Sequence, residues 1–180
     1  MVELRSEPYT LKTRPDIIDT EKDFRNNLNL AEVNGMLFNV LAFKNSAILA
    51  EYDAILWRED KVWFIEYKDS HAANKRMSAK RVQQVSDMSR NLARIFGFAQ
   101  YNFTIVVKGI KEPVVKGNSN VVPLEDLPDF QPEYSSTYIE LDYIDKLITK
   151  YTRSENPAEP DRDMMITELN NLRSMMMQRI

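Results

Sequence analysis

The first nineteen residues are polar and carry Pro8 and Pro15, a pattern that predicts an extended arm with an edge strand over residues 9–12. From Thr20 the spacing changes. Thr20 offers a helix N-cap, with Asp23 three residues on as a capping-box-like partner. Phe24, Leu28, Ala31, Gly35 and Phe38 then recur at helical intervals, which predicts a helix reaching about residue 43. Residues 47–57 and 62–68 read as two strands joined by a turn at residues 58–61. After a polar break at 69–74, residues 75–97 read as a helix ending at Gly97, a C-cap residue. Residues 101–108 are rich in β-branched and aromatic side chains and read as a strand, followed by a short strand at Val121-Val122. Residues 124–137 read as loop, 141–151 as a helix, 152–162 as a polar linker, and 163–179 as a last helix. That helix places Met165, Leu169, Leu172 and Met176 on one seam. The order predicts an α/β architecture in which helices flank a small mixed sheet. The expected division is an arm at 1–19, a domain at 20–151, the linker, and the C-terminal helix at 163–180.

Composition narrows the chemistry. The chain has 180 residues, no cysteine and one histidine. That excludes disulfide scaffolds, thiolate zinc sites and a Cys nucleophile. A Ser-His-Asp hydrolase would need His71 itself, and no GxSxG elbow is present. Any hydrolytic chemistry must come from carboxylates. No run of 18 apolar residues occurs, so no membrane span is expected, and the charged N-terminus lacks a secretory pattern, so a cytoplasmic location is expected.

The two central strands carry the most informative charges. With the turn centred on 58–61, Trp57 faces Val62, Ile55 faces Phe64, Asp53 faces Glu66 and Glu51 faces Lys68. Alternation puts these eight on one face and Tyr52, Ala54, Leu56, Trp63, Ile65 and Tyr67 on the other. Both faces are largely apolar, as in strands covered on both sides. Asp53 and Glu66 are then expected about 5 Å apart at Cβ, a costly pairing of like charges. A divalent cation would offset the cost, since Mg²⁺ favours sites of one or two carboxylates, waters and a phosphate. Lys68 lies one side-chain step from Glu66 on the same face. Read without chemistry, the same residues give a sheet with a Glu51–Lys68 cross-strand pair and a solvated end.

Asp53, twelve residues, then Glu66-Tyr67-Lys68 on a strand–turn–strand resembles the signature of the PD-(D/E)XK nuclease superfamily. Glu51-Tyr52-Asp53 with Ile65-Glu66-Tyr67-Lys68 is most similar to its NERD-type and Holliday junction resolvase-like members. Tyr52 stands where that family usually has proline. The resemblance covers roughly residues 20–122 and implies a restriction-endonuclease-like core, whose first strand the pattern does not locate. It further implies Mg²⁺- or Mn²⁺-dependent hydrolysis of phosphodiester bonds in nucleic acid, expected to be endonucleolytic cleavage of DNA. Asp53, Glu66 and the Tyr67 main-chain carbonyl would hold the metal, and Lys68 would position water or stabilise developing charge. Such families often add a metal-site Glu from the first helix; Glu32, on the edge of the apolar stripe, is the candidate. Glu21 is an outside alternative, because an acid in a first helical turn is already explained by the helix dipole.

Between Lys68 and Arg94 seven basic residues stand against two acids, a net +5 within a chain of −3. Lys75, Arg76, Lys80, Arg81, Gln84, Arg90 and Arg94 are the expected nucleic-acid contacts. Gln83 and Gln84 fall where some relatives place a supporting Gln, but the Tyr four residues later in one branch is Met88 here. His71 reads as an exposed loop residue. The methionine-rich C-terminal helix (Met164, Met165, Met175, Met176, Met177) suits packing against its own core, a second copy of the chain or a protein partner. The expectation of a different class is a catalytically silent nuclease-fold subunit that binds nucleic acid or a partner within a larger assembly.

Overall fold

The structure is a computed structural model, and it describes residues 2–15, 21–153 and 161–177. The chain divides into two compact units, Met1–Thr137 and Tyr138–Ile180.

The first unit is built on a mixed sheet with nine strands among the described residues. β1 (Glu3–Ser6), β2 (Tyr9–Thr13), β3 (Gly35–Lys44), β4 (Ala47–Arg58) and β5 (Lys61–Lys68) follow one another as antiparallel neighbours. β6 (Gln100–Val107) then pairs parallel to β5, after a crossover through α2 (His71–Arg76) and α3 (Ala79–Ile95). β7 (Val114–Lys116) and β8 (Ser119–Pro123) form a hairpin whose second strand lies parallel to β6. β9 (Ser135–Ser136) pairs with the start of β6. A short α1 (Glu21–Asn26) and the segment through Leu124 and Leu127 cover one face; α3 covers the other. The mixed sheet between helices is the α/β class that the chain pattern predicts.

The main correction concerns residues 20–43. The helix stops at Asn26, and residues 35–44 are a central strand. Asn26, Asn27, Asn29 and Asn34 break the stripe with side chains that compete for backbone hydrogen bonds. Gly35 then lets β3 pass beneath Trp57: a Cβ there would lie 2.1 Å from the indole. β3 also carries Asn39 at φ +52. Leu37 and Val40, three apart, both enter the α3-side core, as do Ile55 and Tyr52 opposite them on β4. The β3–β4 ribbon therefore changes face near Asn39 and Asp53. This puts Tyr52 with Ile55 and Phe64 on the α3 side, not with Ala54 and Leu56 as strict alternation expects.

Three other expectations change. The arm at 1–19 is a β-hairpin of the sheet over residues 3–13, and β2 lies inside it between β1 and β3; Thr20 falls outside the described residues. The helix at 75–97 is two helices, broken at Met77 and Ser78, where the Ser78 side chain caps α3. α4 (Ile139–Arg153) belongs to the second unit with α5 (Arg162–Met177), against which it packs, so the first unit ends before it. Within the second unit Leu141, Ile144 and Leu169 are buried, and Arg173 pairs with Asp145. Of the expected seam, Leu169 is buried, while Met165 and Leu172 stay exposed. Most of the expected linker lies outside the described residues. No helix among the described residues is long and apolar enough to cross a membrane.

Candidate active site

The β4–β5 hairpin turns at Glu59, which adopts φ +52, and its ladder runs from Arg58↔Lys61 through Trp57↔Val62 and Ile55↔Phe64 to Ala54↔Ile65. This is the register that the turn position predicts. Beyond Ala54 and Ile65 the two strands part: β4 continues against β3, with Tyr52 opposite Val40 and Glu51 opposite Leu41, and β5 continues against β6. Asp53 and Glu66 stand at the fork, beyond the last ladder pair, so the expected cross-strand pairing of the two does not form. The carboxylate of Asp53 accepts the main-chain N–H of Tyr67 at 2.5 Å, replacing the ladder bond that the fork removes.

Both carboxylates are partly buried. The Glu66 side chain is 16 % exposed and that of Lys68 24 %. Burial pushes Asp53 up to about 7, helped by the charge of Glu66 and opposed by the Tyr67 N–H and Lys68. Burial also raises Glu66, and its ion pair with Lys68 Nζ opposes the shift. Arg81, in the first turn of α3, adds a further positive field on Glu66. The expected Glu51–Lys68 pair does not form; Glu51 is exposed and meets Arg14 at 3.4 Å.

Tyr52 supports the fork from beneath. It is 1 % exposed, packs on Phe64 at 4.8 Å between ring centroids, and shares a 2.9 Å hydrogen bond with Ser89 of α3. Ser89 donates in turn to the Val85 carbonyl. The Tyr67 ring lies on the other side, stacked on Phe24 at 5.1 Å. Aromatic rings from both cores thus flank the two residues whose charges the site needs.

The structure corrects the third acid. Glu32 lies in the loop before β3, its side chain 74 % exposed and ion-paired to Arg58 at the turn end of the hairpin. It is not on a helix, and its partner Arg58 stands five strand positions from Asp53, about 17 Å along β4. After Glu66, Glu21 is the other acid whose charge reaches Asp53, as the smallest of the effects on it. It is 8 % exposed and holds Arg25 at 2.9 Å. An acid in the first turn of a surface helix has no reason to be buried, and its pattern position gave no signal of it. Among the described residues no three His, Cys, Asp or Glu side chains are gathered as a metal cage.

The basic segment is only partly one surface. Lys80, Arg81, Gln84 and Arg94 are exposed on α3, whereas Lys75 and Arg76 are exposed on the separate α2. Arg90 is half-buried with its guanidinium over the Tyr101 ring at 5.1 Å, and so serves the fold. Gln83 bonds to Asp87 at 3.0 Å. His71 is exposed in the first turn of α2.

No protein-family model and no curated protein matches the chain.

Proposed function

We propose that this chain is a metal-dependent nuclease that hydrolyses phosphodiester bonds in nucleic acid, with DNA as the expected substrate, on a restriction-endonuclease-like core. The observation that carries the reading is the fork: Asp53 and Glu66 share a partly buried position with Lys68, and their negative charge is incompletely offset. The donor set fits a hard divalent cation, Mg²⁺ or Mn²⁺. Such ions take carboxylate oxygens, keep several waters and accept a phosphate. Asp53 and Glu66 would hold it, with the Tyr67 carbonyl adjacent and Glu21 placed to act behind Asp53. When bound, the ion would polarise the phosphate and acidify a coordinated water.

The chain's own residues supply the rest. The Tyr67 N–H fixes the Asp53 carboxylate so that one orientation is kept. Lys68, held by Glu66, places an ammonium where charge grows on the phosphate and where an attacking water can be oriented. Arg81 and Lys80, at the start of α3, face the polyanionic backbone. Partial burial of Asp53, Glu66 and Lys68 limits bulk water around them, so these three charges act in a lower dielectric than water.

A second reading, the silent binding subunit, is favoured by one observation: Lys68 is already consumed by Glu66, an internally neutralised pair. Metal-dependent cleavage of nucleic acid that disappears on Lys68→Ala supports the nuclease; retained binding without cleavage supports the second reading.

A further inference from the structure

The sheet stops at β1 on an unfinished apolar row. Among the described residues β1 pairs with β2 alone, so its outer side is an open edge. Leu4 stands opposite Leu11 of β2, Leu11 opposite Ala42 of β3, and Ala42 opposite Ala50 of β4. Leu11, Ala42 and Ala50 belong to the α3-side core and are at most 5 % exposed. Leu4, at the end of the row, is 39 % exposed, and Val2 on the same face is 51 % exposed. A further strand at this edge would cover both and complete the row.

Backbone direction and charge specify that strand. The Thr13 N–H donates to the Val2 carbonyl at 3.0 Å, which makes Val2 and Thr13 a hydrogen-bonded pair. Bonded and non-bonded pairs alternate along an antiparallel ladder. Leu4 and Ser6 therefore turn their N–H and C=O groups inward to β2, and Glu3 and Arg5 turn theirs outward. The side chains of Glu3 and Arg5 share the face opposite Leu4. They form an ion pair along the strand, and Lys12 of β2 lies 3.2 Å from Glu3.

We infer that β1 pairs with β1 of a second copy of this chain, antiparallel and centred on Leu4. Each Glu3 then stands opposite the second copy's Arg5. Their outward groups meet as two bonded pairs, which gives four main-chain hydrogen bonds. The four charged side chains alternate in sign along and across the strands. Leu4 meets its own counterpart in the non-bonded position, where side chains lie closest. A two-fold contact has to be self-complementary in this way. The edge at β7 is not: centred on Val115, it would set Val114 against Lys116, whose ammonium already donates to the Asn74 carbonyl at 2.6 Å. The β1 contact is short, so a dimer with a dissociation constant in the micromolar range is expected. The inference does not rest on the nuclease reading.

Sedimentation velocity of the full chain from about 1 to 500 µM brackets that range and reads the mass. Glu3→Arg and Arg5→Glu each set like charges opposite one another and should weaken the dimer by about 10- to 100-fold. Their equimolar mixture should restore it, because opposite signs then meet across the strands, and mixing cannot repair a folding defect. The chain has no cysteine, so Leu4→Cys supplies its single thiol. Under oxidised glutathione it should form an interchain disulfide, since the paired Cα atoms would lie about 4.5 Å apart. Val2→Cys should not, because the two copies of that residue would lie four strand positions out of register, about 13 Å. Circular dichroism checks each fold; where a charge variant does not fold, the cross-linking pair decides. A wild type monomeric throughout overturns the inference, as does a dimer that Arg5→Glu leaves intact or one that Val2→Cys cross-links as fast as Leu4→Cys. Dissociation by Leu172→Glu but not by Arg5→Glu also overturns it and assigns the contact to the methionine-rich helix instead.

Discussion

The Asp53 carboxylate accepts the main-chain N–H of Tyr67 at 2.5 Å, at the position where β4 and β5 cease to pair. A side chain there completes the backbone's hydrogen bonding, which buried N–H groups require. The same bond anchors one of two acids that would otherwise repel each other. Structure and chemistry are therefore coupled at one residue, and substitutions of Asp53 should separate them.

Acid–base behaviour is the first consequence. Without metal, Asp53 titrates near 7, pushed up by burial and by Glu66, with Lys68 and the Tyr67 N–H opposing and Glu21 adding to the rise. Its unfolded value is about 4. The folded chain therefore holds a proton that the unfolded chain has released. The stability this gives is complete below pH of about 4 and is lost as pH rises through about 7. Asp53→Asn keeps an acceptor for Tyr67 and removes the charge. It should raise metal-free stability at pH 8 by on the order of 2 kcal/mol, with the gain vanishing near pH 4. Mg²⁺ should then raise the melting temperature of the wild type and leave that of Asp53→Asn unmoved. Thermal melts across pH, with and without Mg²⁺, check both; a pH-independent difference would contradict the account.

Glu21 and Glu32 make a paired test. Glu21 is buried near Asp53, and Glu32 is exposed and bound to Arg58. Glu21→Gln should lower activity or metal affinity by about 10- to 100-fold, the usual effect of losing a group that supports metal ligands. Glu32→Gln should leave both within about twofold, since an exposed ion pair contributes roughly 0–1 kcal/mol. Metal titration of the two variants distinguishes them.

Gly35 predicts a packing effect. A Cβ at this position would meet the Trp57 indole at 2.1 Å, so Gly35→Ala must displace β3 or the indole. The expected cost is about 1–3 kcal/mol in urea unfolding, typical of overpacking. Tryptophan emission should shift, because Trp57 is one of only two reporters.

The hydroxyl of Tyr52 gives a smaller, cleaner test. Tyr52→Phe removes its hydrogen bond to Ser89 and keeps the ring against Phe64. Ser89 retains its bond to the Val85 carbonyl. The loss should be about 1 kcal/mol in denaturant unfolding, the net worth of one hydrogen bond.

Much of the central hairpin was legible in the chain. Trp57↔Val62 and Ile55↔Phe64 follow from the turn position and period-2 alternation alone. The face change at Asp53 was not, since it depends on Asn39 adopting φ +52 on the neighbouring strand. β3 was misread because Phe24, Leu28, Ala31, Gly35 and Phe38 fit a helical period by coincidence. The asparagines between them were the competing signal. The same helical period places Glu32 on a helix face, while Glu21 ranks only as an alternative because the helix dipole already explains an acid in a first turn. The basic run after Lys68 was visible, but Arg90 shows that composition does not say which cations face outward.

Cleavage tests the central claim most directly. Labelled single-stranded, duplex and branched DNA are incubated with wild type, Asp53→Ala and Lys68→Ala, with Mg²⁺ or Mn²⁺ and with chelator. The account predicts metal-dependent cleavage of at least one substrate by the wild type, lost with chelator and with Asp53→Ala and reduced at least about 100-fold by Lys68→Ala. Cleavage that survives either substitution, or a folded wild type inactive on all three substrates, would contradict it.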